Sequence, residues 1–199
     1  MFFVGVDLGQ SADYTAVCIG EKAGGGESPT APYELRIRYL ERFRGVPYPQ
    51  VAERLEVLLN RLGDPYELAV DATGVGVAVV DLLRQRGLRF KAVTITGGNR
   101  EAREGRNFRV PKRDLVAGLQ VLLQTGRLKI ASGLEHAETL RGELLAFRVK
   151  VSASGHDSYE AWREQDHDDL VLAACLASWA AERETPPVDE TLATAEDPW

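Results

Sequence analysis

Cysteine is almost missing from this chain. Cys18 and Cys175 are the only two in 199 residues, and each sits inside an apolar run. Two small buried thiols in a reducing compartment are expected, not a disulfide framework. There is no CxxC and no Cys/His spacing of the zinc type, which excludes a structural zinc module. No apolar run reaches the length of a helical membrane span. The apolar opening, residues 1–6, is interrupted by Asp7 and reads as a strand, not a targeting segment. A cytoplasmic protein with no membrane partner is therefore expected. Internal repeats are absent as well.

What is present is ordinary globular material, 44% hydrophobic and 27% charged, so a packed core is expected. The length suits one generous domain, expected over residues 1–184. Residues 185–199, with Pro186, Pro187 and Pro198, read as a flexible acidic tail. The net charge of −6 argues mildly against a surface coated in phosphate-binding groups. The charge is uneven, however: the stretch 100–113 is basic and the end of the chain acidic.

Apolar patterning predicts strands over residues 2–7 and 15–20, then a loop over 22–32 rich in Gly, Ser and Pro. Residues 34–43 read as a half-exposed strand, with Leu35, Ile37 and Tyr39 opposed to Arg36, Arg38 and Glu41. Three antiparallel strands thus open the fold. Helix 49–62 follows, with Val51, Leu55, Leu58, Leu59 and Leu62 on one face. Next come strand 67–70, helix 75–86 closed by Gly87, strand 90–95, a polar loop over 97–108, helix 111–125, a short extended piece 128–131 and helix 134–147. Residues 148–158 read as extended with a turn, and 168–184 as a strongly apolar helix. The order predicts an α/β fold: a mixed sheet, antiparallel first and then parallel, flanked by helices on both faces.

Three acidic positions follow or begin strong hydrophobic elements. Asp7 ends the first strand, Asp71 ends a later one, and Asp168 with Asp169 opens the last helix. Sites in open α/β sheets gather at the carboxyl ends of strands. If the Asp7 and Asp71 strands are neighbours, their carboxylates converge, and the closing helix can bring Asp168 to the same point. Oxygen ligands suit Mg²⁺ or Mn²⁺. Two such ions, about 3.5–4 Å apart, serve phosphodiester cleavage by activating water and stabilising the leaving oxygen. Each acid also has a plainer reading: Asp168 as a helix N-cap, Asp7 and Asp71 as turn residues before glycine. Asp13 and Asp81 read as structural or peripheral.

Val4-Gly5-Val6-Asp7-Leu8-Gly9 with Asp13-Tyr14-Thr15-Ala16 resembles the opening strand of the nuclease domain of phage large terminase subunits. Val70-Asp71-Ala72-Thr73-Gly74-Val75-Gly76 resembles that family's second acidic motif. Val110-Pro111-Lys112-Arg113-Asp114-Leu115, leading to Gly126-Arg127-Leu128, resembles its following helix, and His167-Asp168-Asp169-Leu170-Val171 its last acidic motif. The matches keep the family's order and span residues 2 to 182. The resemblance implies a ribonuclease H-like fold and metal-dependent endonuclease activity on double-stranded DNA. It implies metal ligation by Asp7, Asp71 and Asp168, with Asp169 as a further ligand or a group supporting the ligands. It also implies the setting of genome packaging, whose partners are an ATPase motor, a small terminase subunit and a portal. The chain has no GxxxxGK[ST] phosphate loop, so it is not expected to be a complete packaging motor by itself.

His167 is expected to orient a ligand beside the acids, or to approach the attacking water as a base. Arg100, Arg103, Arg106, Arg109, Lys112 and Arg113 form a basic cluster suited to the DNA backbone, or else a solvated loop balanced by Glu101 and Glu104. Residues 150–162 read as a hairpin beside the site, with Tyr159 and Trp162 in the core. The helix start after Thr73 and Gly74 can bind an anion or simply pack tightly. Three other functions stay open at this level: a Holliday-junction resolvase-like nuclease, a non-catalytic DNA-binding or assembly module, and an actin-fold ATPase.

Overall fold

The structure, a computed structural model, describes residues 1–9, 13–24, 32–62, 65–74, 76–146 and 168–183. The chain opens with β1 (Phe2–Asp7), β2 (Tyr14–Gly24) and β3 (Tyr33–Arg44), paired antiparallel. Then come α1 (Tyr48–Leu62), β4 (Tyr66–Asp71), α2 (Gly76–Gln85) and β5 (Lys91–Thr96). A hairpin of β6 (Ala102–Glu104) and β7 (Asn107–Pro111) leads into α3 (Lys112–Gln124). The remaining elements are β8 (Leu128–Ile130), α4 (Ala137–Ala146) and α5 (Asp169–Glu182). The eight strands form one sheet in the order β6-β7-β5-β4-β1-β2-β3-β8. Strands β4, β5 and β7 join β1 in parallel; α1 and α2 make the crossovers into β4 and β5, while β7 is reached through β6. The mixed sheet and the antiparallel opening are as the patterning predicts.

Two stretches differ from the sequence reading. Residues 97–108 are not simply a polar loop, because they contain β6 and the start of β7, turning at Gly105 (φ 59°). Phe108 and Val110 are buried and alternate with exposed residues, a strand signal masked by the surrounding arginines. The loop expected from residue 22 begins later, since β2 runs on to Gly24 against Tyr33. The extended segment 148–158, the hairpin 150–162, His167 and the tail 185–199 lie outside the described residues.

Each face of the sheet has its own core. Val4, Val6, Val17, Ile19, Leu68 and Val70 pack with α1 and α2. Phe3, Ala16, Cys18, Ala69, Val93 and Phe108 pack with α3, α4 and α5. Burial on both sides is why the central strands read as continuous apolar runs. Helix α5 has no polar face, and every residue from Leu170 to Ala181 is buried. Such a helix must lie against the middle of the sheet.

Gly5 makes that approach possible. A Cβ added there would stand 1.9 Å from the Ala173 carbonyl oxygen and 2.6 Å from the Ala177 nitrogen. Both are backbone atoms, so neither side can yield by a rotamer change. Gly5→Ala should therefore cost about 1–3 kcal/mol or more, the usual range for overpacking. Urea denaturation would measure it; a variant as stable as the parent would show that α5 does not rest on Gly5.

Candidate active site

The alternation of strand side chains decides which groups share a face. On β1, Phe3 belongs to the core beneath α5, so Asp7, four residues on, stands on the same face. On β4, Ala69 belongs to that core, so Asp71 stands there too. Val6 and Val70 are partners in the parallel ladder, and each acid is one step beyond them. Asp7 and Asp71 are therefore neighbours at the carboxyl ends of adjacent parallel strands, the condition that the sequence left open. Asp71 is buried, and its Oδ1 accepts a hydrogen bond from the Thr73 amide at 2.7 Å. The turn role considered for Asp71 is thus real, and one carboxylate can serve both purposes. Thr73 in turn accepts from the Ile95 amide at 2.7 Å, fastening this turn to β5. On the β1 side, the Gly9 amide donates to Thr15 Oγ1 at 3.2 Å.

Helix α5 delivers the other two acids. Burial raises the Asp7 carboxyl well above its ordinary value, and the charges of Asp71, Asp169 and Asp168 raise it further. Lys112 works in the opposite direction. Three carboxylates from two other stretches of sequence therefore act on the partly buried Asp7. Lys112, the first residue of α3, places Nζ 3.8 Å from Asp168 Oδ2.

Asp168 occupies the N-cap position of α5 but makes no side-chain cap bond there. Glu143 of α4 does that work: its Oε2 accepts from the Leu170 and Val171 amides, both at 3.1 Å. The helix-cap reading of Asp168 is thereby displaced onto a residue that sequence reasoning missed. Burial pushes the Glu143 carboxyl up to about 7, against the lowering effect of those amides and of Arg42. Arg42 is the second missed residue. It donates from Nη2 to Asp169 Oδ2 at 2.8 Å, and its Nη1 lies 3.5 Å from Glu143 Oε1.

The basic cluster does not assemble as one group. Lys112 lies at the acids. Arg113 donates to the Asn99 carbonyl at 3.0 Å and pairs with Asp114 at 3.4 Å. Arg103 lies over the Phe108 ring, 5.2 Å from its centroid. Arg109 follows Phe108 in β7 and so stands on the opposite face of the sheet edge. Arg100, Arg106 and Arg109 are exposed. Glu101 pairs outside the basic cluster: it accepts from Arg183 at 2.6 Å and from Trp179 Nε1 at 3.4 Å, tying the start of the hairpin to the end of α5.

Among the described residues, no group of three or more His, Cys, Asp or Glu is arranged to hold a metal ion as it stands. The chemistry of the donor set nevertheless fits a hard divalent cation. The converging groups are all carboxylates, and Asp7, partly buried, carries the repulsion of three others, which a cation would relieve.

A family-wide sequence profile described as "Terminase RNaseH-like domain" matches residues 4–180. No curated protein matches the chain. Among solved structures, the large terminase nuclease from thermophilic phage G20c superposes with a TM-score of 0.60 at 22% identity, covering 89% of this chain and 80% of that one. The same nuclease with bound zinc gives 0.57 at 21% identity, over 89% and 79%. The large terminase nuclease domain of bacteriophage SPP1 with bound manganese gives 0.54 at 12% identity, over 90% and 86%. The chain thus has the ribonuclease H-like fold of these nuclease domains.

The raised carboxyls fix the sign of a pH effect. Asp7 and Glu143 keep their protons to higher pH in the folded chain than in the unfolded one, so the folded state binds more protons and loses stability as pH rises. For Glu143 the window runs from its ordinary 4.5 to about 7. In EDTA, the melting temperature should fall as pH rises from about 4.5 to about 7, less steeply in Glu143→Gln. A melting temperature that climbed over that range would contradict the electrostatics described.

Proposed function

Because the chain belongs to the terminase RNaseH-like domain family, we propose that it is a divalent-metal-dependent endonuclease that cleaves double-stranded DNA. Asp7, Asp71 and Asp168 are the catalytic carboxylates and hold the metal in this reading. The observation that supports it most is the placement of Asp7 and Asp71 side by side on the α5 face of the sheet, with the start of α5 bringing Asp168 and Asp169 into their field. Zinc and manganese bound to two of the structural neighbours support a divalent ion, and all-oxygen donors favour Mg²⁺ or Mn²⁺.

When bound, a pair of such ions supplies the charge that activates the attacking water and stabilises the leaving oxygen. The chain's own residues do the rest. Asp7 is held by a strand buried on both faces, so its position is rigid. Thr73 holds Asp71 through one carboxylate oxygen. Lys112, beside Asp168, is the cation best placed to meet a phosphate entering the site. Arg100 and Arg106 are exposed on and around the β6–β7 hairpin and can contact neighbouring backbone phosphates without reading sequence. In a packaging assembly, DNA would be presented to this site by an ATPase motor, with the small terminase subunit and portal as further partners.

The test is cleavage of supercoiled plasmid in Mn²⁺, in Mg²⁺ and in EDTA. Cutting should need metal. Asp7→Ala and Asp168→Ala should each lose at least about a hundredfold, since charge stabilisation by a metal ion is worth several kcal/mol. Cutting that persisted in EDTA, or that survived both substitutions, would remove the proposed site from the reaction.

A further inference from the structure

We propose that Arg42 and Glu143 are positioning residues that act as one clamp on the start of α5, holding Asp169 to Arg42 so that Asp168 is presented to Asp7 and Asp71. The inference rests on the nuclease reading above.

The sheet register sets up the clamp. Asp7 of β1 is paired with Ala16 of β2, and Ala16 with Arg42 of β3. These three form a row across the sheet on the α5 face, with Arg42 about 10 Å from Asp7, two strand spacings away. The residue between them is alanine, so the side chain from α5 meets no bulk as it crosses to Arg42. The guanidinium is fixed from below by Tyr14, whose ring centroid lies 3.9 Å from its Cζ. From above it meets Asp169 Oδ2 at 2.8 Å and Glu143 Oε1 at 3.5 Å. All three charged side chains are nearly buried, with exposures of 12% for Arg42, 13% for Asp169 and 7% for Glu143.

The second half of the clamp is backbone. The other Glu143 oxygen takes the Leu170 and Val171 amides, so α4 caps α5. A single arginine therefore ties β3, α4 and α5 together at the residue next to Asp168. Buried charges of this kind depend on one another, because removing one leaves its partners uncompensated. The clamp also assigns different work to the two adjacent acids: Asp169 is engaged by Arg42, and Asp168 by Lys112.

The experiment is an Mn²⁺ titration by calorimetry of the parent chain, Arg42→Met, Glu143→Gln, the double variant and Arg42→Lys. Leu55→Ala, in the core beneath α1, serves as a destabilised control. Arg42→Met and Glu143→Gln should each weaken Mn²⁺ binding by about 10- to 100-fold, the usual effect of losing a group that orients a ligand. The double variant should fall far short of the product of the two, because the residues act as a unit. Arg42→Lys should recover part of the loss. Leu55→Ala should lower the melting temperature while keeping Mn²⁺ affinity within about twofold. Amide exchange at Leu170 and Val171 should quicken in Glu143→Gln. Parent-like Mn²⁺ affinity in both single variants, or an equal loss in Leu55→Ala, would overturn the clamp alone. A parent chain that takes up no Mn²⁺ would overturn the nuclease reading and the clamp with it.

Discussion

A helix without a polar face can be stable only where every side is covered. Helix α5 finds that cover by lying on the centre of the sheet, and Gly5 lets its backbone come within van der Waals reach of β1. The other features of the site follow from this contact. The depth and direction of α5 fix where its first residues emerge, and they emerge above the carboxyl ends of β1 and β4. A chain that packed α5 an ångström or two higher would keep its fold class and lose the meeting of Asp7 with Asp168 and Asp169.

That meeting is electrostatically unfavourable. Asp7 is partly buried, and three other carboxylates add to the desolvation that raises its proton affinity. The fold offsets the accumulated charge with cations brought from elsewhere: Lys112 from the start of α3 and Arg42 from the outer part of β3. Glu143 removes another cost by accepting the first free amides of α5, which an aspartate at Asp168 would ordinarily do. Asp168 therefore makes no side-chain cap bond to α5.

Much of this was legible in the sequence, for identifiable reasons. Asp7, Asp71 and Asp168 each stand at the end of a strong hydrophobic element, and parallel strands bring their carboxyl ends together. The family resemblance rests on the same residues, and the match over residues 4–180 agrees with it. Arg42 was hidden by a β-bulge. Strict alternation from Leu35 and Ile37 points Arg42 away from α5. In the structure Ile19 pairs with Tyr39 and Gly20 with Ile37, so β3 carries one extra residue and its faces exchange. Leu40 and Arg42 then join the α5 side. Glu143 was hidden differently: a glutamate on a weakly patterned helix gives no sign that it will cap another helix 27 residues away. The β6–β7 hairpin was obscured because Arg103, Arg106 and Arg109 surround the buried Phe108 and Val110 that make β7 a strand.

In the proposed nuclease, Asp7, Asp71 and Asp168 come together to hold divalent metal. The most direct measurement is anomalous diffraction from crystals of the chain soaked in Mn²⁺. Anomalous density coordinated by oxygens of Asp7, Asp71 and Asp168 is expected. Density elsewhere on the molecule, or none beside these carboxylates at saturating Mn²⁺, would contradict it.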